Sequence, residues 1–134
     1  PAIAPNTLKA VTTSSTVWNR SEAYDAAKAF DADPTTRWAT PDGTKTAWLQ
    51  ADLLKPSMVK GIAINEAFPG RVKQFQIQYQ APGSATWETL LEGTQLGSGF
   101  KVNFRPVEAR AVRLNILDAV EGPTIWEMGL DLVK

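Results

Sequence analysis

Apolar and polar side chains alternate along much of this chain. In Phe75-Gln76-Ile77-Gln78-Tyr79-Gln80 every second residue is apolar and the residues between are amides, so an extended segment buries one face and wets the other. Val112, Leu114 and Ile116 alternate with Arg113 and Asn115, and Leu49, Ala51 and Leu53 alternate with Gln50 and Asp52. Ile62 and Ile64 stand two apart after Val59, and further strand patterns cover residues 87–91, 100–104 and 125–133. Less regular extended patterns cover 8–12 and 16–18. The one helical pattern runs over 21–30, with Ser21 placed to cap its first turn and Pro34 barring continuation.

Turn chemistry separates these runs at Pro41-Asp42-Gly43, Lys55-Pro56, Pro69-Gly70, Pro82-Gly83, Gly97-Ser98-Gly99 and Gly122-Pro123. Each supplies a fixed φ or a tolerated positive φ where the chain must reverse. Short strands at this spacing predict an all-β fold, an antiparallel sandwich or barrel. No repeat, low-complexity tract, linker or charge run divides residues 1–134, so they read as a single domain.

Composition then excludes chemistry. The 134 residues carry 14 Lys plus Arg against 14 Asp plus Glu, with no His and no Cys. A chain of this size buries about two-thirds of its unfolded surface. Zero net charge removes the long-range pull that nucleic acid or an anionic membrane would need. Without His there is no imidazole base, His-containing triad or His-ligated zinc. Without Cys there is no thiol nucleophile, thiolate metal site or disulfide. Carboxylates remain as the strong metal ligands. No run approaches the roughly 20 apolar residues of a membrane span, and no export signal opens the chain. It starts at Pro1, which fits a processed protein or a domain excised from a larger one.

The densest chemical signal is Ala29-Phe30-Asp31-Ala32-Asp33-Pro34-Thr35-Thr36-Arg37-Trp38. Asp31 and Asp33 stand two apart in a proline-stiffened turn, with the Thr36 hydroxyl and carbonyl three further on. Calcium takes six to eight oxygens from carboxylates and main-chain carbonyls, and such a turn offers both. The same residues also suit an Asx-type turn in which the carboxylates accept from nearby amides. The Gly and distant Glu of an EF-hand loop are missing.

That segment, followed by Trp48-Leu49-Gln50-Ala51-Asp52-Leu53 and Arg110-Ala111-Val112-Arg113-Leu114, resembles the discoidin, or coagulation-factor C-type, domains. The chain is most similar to carbohydrate-binding modules of family thirty-two. Asn65-Glu66-Ala67-Phe68-Pro69-Gly70-Arg71-Val72, Leu114-Asn115-Ile116-Leu117-Asp118-Ala119 and Glu121-Gly122-Pro123-Thr124-Ile125-Trp126-Glu127 further resemble modules appended to bacterial α-L-fucosidases. The resemblance runs from about Leu8 to Val133. It implies an antiparallel jelly-roll β-sandwich of galactose-binding, discoidin-like type and a structural Ca2+. The implied ligands are the Asp31 and Asp33 carboxylates, the Thr36 carbonyl and hydroxyl, a main-chain carbonyl near Lys28, and the Glu127 carboxylate, which would tie the last strand to the first long loop. The family usually has Gly where Ala32 stands. If that position needs positive φ, Ala costs about 1 kcal/mol.

Five Trp invite sugar stacking. Trp38, Trp48 and Trp87 lie in or beside strand patterns and read as structural, since large aromatics dominate cores. Trp18 and Trp126 adjoin polar or Gly/Pro-bearing loops, where function concentrates. On the Asn65–Arg71 loop, Glu66 can accept from sugar hydroxyls, Arg71 donates in a planar fork and Phe68 offers an apolar wall. The plainer reading is a surface Glu–Arg pair worth under about 1 kcal/mol. The late loop adds Glu121 beside Trp126, and the Pro41–Lys45 turn adds Asp42 and Lys45. Galactose-binding relatives place an Arg and an Asn on the first of these loops and a His on an earlier one. Here Glu66 and Arg71 stand at the Arg and Asn positions and no His exists, so the galactose pocket does not transfer. The Asn19-Arg20-Ser21 sequon carries little weight.

No catalytic constellation emerges. Asp31 and Asp33 are committed to the turn, and nothing sets Glu66 and Glu121 at a glycosidase separation. The expectation is a non-catalytic carbohydrate-binding module that holds a glycoside hydrolase near its glycan. The alternative is a structural module that packs on a catalytic domain without a ligand. Phospholipid binding needs apolar spikes with basic flanks, which the acidic or neutral loops lack. A monomer is expected, with glycan and the parent catalytic domain as partners. The resemblance places it outside the cell or in the periplasm.

Overall fold

The computed structural model describes residues 9–134. Seven strands are seen: β1 (Ala10–Ser14), β2 (Trp38–Ala39), β3 (Ala47–Glu66), β4 (Val72–Gln80), β5 (Glu88–Gly93), β6 (Phe100–Ala119) and β7 (Thr124–Leu132). Leu8, at the start of the first expected strand, lies outside the described residues. All pairings among the described residues are antiparallel. The order is β2-β7-β3-β6-β4-β5, with β1 also on β3.

The β3–β6 ladder organises the rest. Each strand has 20 residues, and the register slips between Asp52 and Ser57 and again between Val59 and Gly61. Before the first slip β3 carries β1; beyond it β3 carries β7. One ladder thus serves two layers, with β1, β4 and β5 on one side of the bend and β2 and β7 on the other. Lys55-Pro56, expected as a turn, is instead part of a bulge inside β3. Pro56 has no N–H to give the ladder, and a bulge is where a strand tolerates that. The segments expected at 100–104 and 112–116 are likewise one strand, β6. Pro106 sits in its irregular stretch, where Asn103 faces Gly61 and Val107 faces Val59.

Strand alternation sets the core. Leu49, Phe75, Ile77, Leu114 and Ile116 meet Ile62, Ile64, Ile125 and Met128, with Trp38 fully buried among them. Two expected core aromatics are elsewhere. Trp48 is out of phase with Leu49, so a period of two turns it outward, and Trp87 falls just before β5. Their rings flank the Arg113 guanidinium at 4.3 Å each, a cation–π sandwich on the outer face. Gln50 Oε1 accepts from Arg113 Nε and Nη2 at 2.9 and 2.6 Å. Burial pulls the Arg113 pKa down against the opposing charge of Asp52.

The expected helix over 21–30 is absent. Three 3₁₀ turns stand there and just before it, at Trp18–Arg20, Glu22–Tyr24 and Ala26–Ala29, so 16–18 is not a strand either. Ser21 does cap, its Oγ accepting from Ala23 N–H at 3.2 Å. Asp25, however, is extended (φ −74°, ψ 176°) and divides the segment. A helix this short is marginal alone, and burying Ala26, Ala29 and Phe30 against the sandwich fixes the tighter turns.

Candidate functional site

Residues 15–37 and the loops after β2, β3 and β6 meet at one end of the sandwich. The clamp is β2, whose Trp38 and Ala39 pair with Ile125 and Thr124 of β7. Thr124 Oγ1 donates to the Trp38 carbonyl and Thr40 Oγ1 to the Pro123 carbonyl, both at 2.7 Å. Gly122 lets the late loop close against the Pro41 turn: a Cβ there would stand 2.5 Å from the Pro41 carbonyl oxygen.

Glu66 and Asn65 do not join the expected sugar-contacting set. Glu66 is 1% exposed and Asn65 3%. The Glu66 carboxyl accepts from Val72 N–H at 2.9 Å and Gly97 N–H at 3.1 Å. It is an internal staple that fixes the 67–71 loop and the start of β4, because buried amides need acceptors. Strand phase hid this: the irregularity between Asn65 and Glu66 in the β3–β7 pairing lets consecutive residues both be buried.

The other residues of that loop do reach the surface. Phe68 is 45% exposed, and the Arg71 guanidinium lies 4.3 Å from its ring centroid while donating to the Gly122 carbonyl at 2.9 Å. Arg37 approaches three rings: Tyr24 at 5.2 Å, Phe68 at 5.3 Å and Trp126 at 5.9 Å. Arg37 Nη1 donates to Thr124 Oγ1 at 3.0 Å, and Trp18 stacks edge-on to Tyr24 at 4.9 Å. Phe68, Arg71 and Trp126 thus lie at one end of the sandwich around Arg37, with Trp18 joined to them through Tyr24. Arg37 and Tyr24 are additions the sequence reading missed. Arg37 was legible: it precedes a buried strand Trp, so alternation turns it outward.

Glu121 ties two loops. Its Oε1 accepts from Gly43 N–H and, at 2.7 Å, from Gly122 N–H. The Gly43 bond first, then the Gly122 bond and the charges of Arg71 and Lys45, hold its pKa below the ordinary carboxylate value. Asp42 and Lys45 are exposed beside it.

The acidic turn is a web of oxygen groups. Asp31 accepts from Asp33 N–H at 3.0 Å and from the Thr36 hydroxyl at 2.5 Å. Asp33 Oδ1 accepts from the Thr35 hydroxyl and N–H at 2.7 and 2.9 Å, which lowers its pKa. Ala32 has φ 59°, the left-handed conformation that glycine favours, and its N–H donates to Glu127 Oε2 at 3.2 Å. The last strand thus reaches the turn. The donors are all hard oxygens, the right kind for calcium. Among the described residues no group of three or more His, Cys, Asp or Glu is gathered to hold a metal ion.

Two outcomes follow from this geometry. Glu66→Ala strands two backbone amides and should cost about 2–4 kcal/mol in chemical denaturation; an unchanged midpoint would refute the staple. Glu121 has a depressed folded pKa, so its stabilisation is present above the ordinary carboxylate pKa and lost as pH falls through the folded value. Thermal melts across the acidic range should show that loss in the wild type and a smaller one in Glu121→Gln.

Residues 10–128 match the F5/8 type C domain. The fold is similar to chitosan-binding module 1 of a chitosanase/glucanase from Paenibacillus sp. IK-5, at TM-score 0.79 and 24% identity over 92% of this chain and 96% of that one. It is similar to a pectin-binding carbohydrate-binding module at TM-score 0.78 and 27% identity, over 93% and 92% of the two chains. A Ruminococcus gnavus GH29 fucosidase, solved in complex with fucose, matches at TM-score 0.80 and 27% identity over 90% of this chain, which spans 25% of the fucosidase. No curated protein matches the chain. With the profile covering most of its length and the sandwich shared with these structures, the chain belongs to the F5/8 type C, or discoidin, domain family.

Proposed function

We propose that this chain is a non-catalytic carbohydrate-binding module whose ligand lies on the loop end, against Phe68, Trp126 and Tyr24, with Arg37 and Arg71 as donors. The observation that carries the reading is the Arg37 cluster: one guanidinium against three rings, on loops cross-tied to a rigid sandwich. Aromatic faces pack on apolar sugar C–H faces, and planar donors orient hydroxyls. The relatives agree in kind, since one binds chitosan, one binds pectin and one is a fucosidase of which this fold is a quarter. Joined to a glycoside hydrolase, such a module raises the enzyme's effective concentration at a glycan-rich surface. That role belongs outside the cell or in the periplasm.

The same reading gives the acidic turn a structural Ca2+. Asp31, Asp33, Thr36, Glu127 and the Lys28 carbonyl would hold it, and the ion would supply positive charge that ties the turn to β7. The Glu127 reach to Ala32 and the left-handed Ala32 support this assignment.

Glycan arrays and titration calorimetry with calcium present should detect binding. Phe68→Ala and Trp126→Ala should each weaken it about tenfold or more while melting close to the wild type. Complete absence of glycan binding would leave a packing module in its place. Chelation should lower the melting temperature on the order of 10 °C from a hundredfold-saturated state, and Asp31→Ala should abolish that response; a melt indifferent to chelator would remove the calcium.

A further inference from the structure

We propose that the aromatic end takes an acidic glycan, one whose sugar units carry carboxylates, with Arg37 and Arg71 as the carboxylate-holding residues. This rests on the carbohydrate-binding reading and names the charge of its ligand.

A guanidinium has five N–H donors. Among the described residues, Arg37 gives a hydrogen bond to Thr124 Oγ1 and Arg71 gives one to the Gly122 carbonyl, and neither forms an ion pair with a described carboxylate. Most of both forks is left for an acceptor from outside. Both cations are half-buried and lie against the same Phe68 ring, at 5.3 and 4.3 Å, so their orientation is set before a ligand arrives.

The acids nearby are spent differently. Glu121 feels the charge of Arg71 but gives Oε1 to two backbone amides. Asp31 accepts from Asp33 N–H and the Thr36 hydroxyl, and Asp33 from both groups of Thr35. These three carboxylates are thus engaged within the protein, while the guanidiniums keep unspent donors. A carboxylate matches a planar fork and forms charge-assisted bonds roughly twice as strong as neutral ones. An amine-bearing sugar would meet two fixed cations, and a neutral sugar gains only ordinary hydrogen bonds. The 45% exposed Phe68, within 4.3 and 5.3 Å of the two guanidiniums, then offers the sugar ring an apolar wall.

The test is titration calorimetry of the whole chain, calcium present, with a galacturonate oligomer, the neutral galactose oligomer and a chitosan oligomer of equal length. The galacturonate oligomer should bind about tenfold more tightly than either other probe, and less so as salt rises. Arg71→Gln should remove most of that preference, as should Arg37→Gln. Because Arg37 also bonds Thr124, thermal melts accompany both variants, and Arg71→Gln carries the test if Arg37→Gln fails to fold. Equal or tighter binding of the neutral or chitosan oligomer overturns the charge assignment and leaves the module reading standing. An acid preference that persists in a folded Arg37→Gln/Arg71→Gln double variant overturns the residue assignment. Failure of all three oligomers to bind, with the arrays also blank, removes both readings.

Discussion

A paired ladder of two 20-residue strands cannot remain flat without exposing one apolar face, and the bend in β3–β6 is the constraint on which this molecule is built. Extra residues at the register slips let the ladder turn, so that its two halves lay their apolar faces against each other. Pro56 and Pro106 fall in these irregular stretches, where a missing N–H is least costly. β1, β4 and β7 attach directly to one half or the other, β5 and β2 attach through β4 and β7, and the buried faces form one continuous core.

Bending the ladder also gathers the loops. The 67–71 loop leaves the far end of β3, the late loop leaves β6, and the two-residue β2 pins residues 15–37 beside them. Side chains hold this end where backbone pairing runs out. Glu66 accepts amides inside the protein, Thr40 and Thr124 donate to carbonyls, and Glu121 crosses to the Gly43 turn. All three non-glycine residues with positive φ among the described residues, Asn19, Arg20 and Ala32, lie in 15–37. All three are exposed, so the positive-φ backbone of this end lies at its surface. A surface set in this way needs little reordering when a ligand arrives, which lowers the entropic cost of binding.

What reads from the chain and what does not can be followed residue by residue. Leu49, Ile77, Leu114 and Ile116 are inward because a strand has a period of two. The same rule turns Trp48 and Arg37 outward, even though aromatic bulk favours a core position for the first. Turn chemistry located the Pro41, Pro69 and Pro82 reversals, but it misplaced Lys55-Pro56, because proline suits a bulge as well as a turn. Ser21 caps as its type requires, yet the helix behind it is replaced by 3₁₀ turns, since the core contacts of Ala26, Ala29 and Phe30 outweigh weak local propensity.

The candidate site divides along the same line. Sequence by itself determined the all-β class, the alternating core, the acidic turn and the polar, aromatic character of the loops, because these depend on residue type and near-neighbour spacing. It also determined the lack of imidazole and thiol chemistry. Only the tertiary structure decided that Glu66 is a buried staple, that Glu121 bridges two loops, and that Arg37 and Arg71 lie against one exposed ring. Those roles depend on partners far along the chain: Glu66 with Gly97, Glu121 with Gly43, and Arg37 with Thr124. No local pattern records which distant amide, carbonyl or ring a side chain will meet once the ladder has bent.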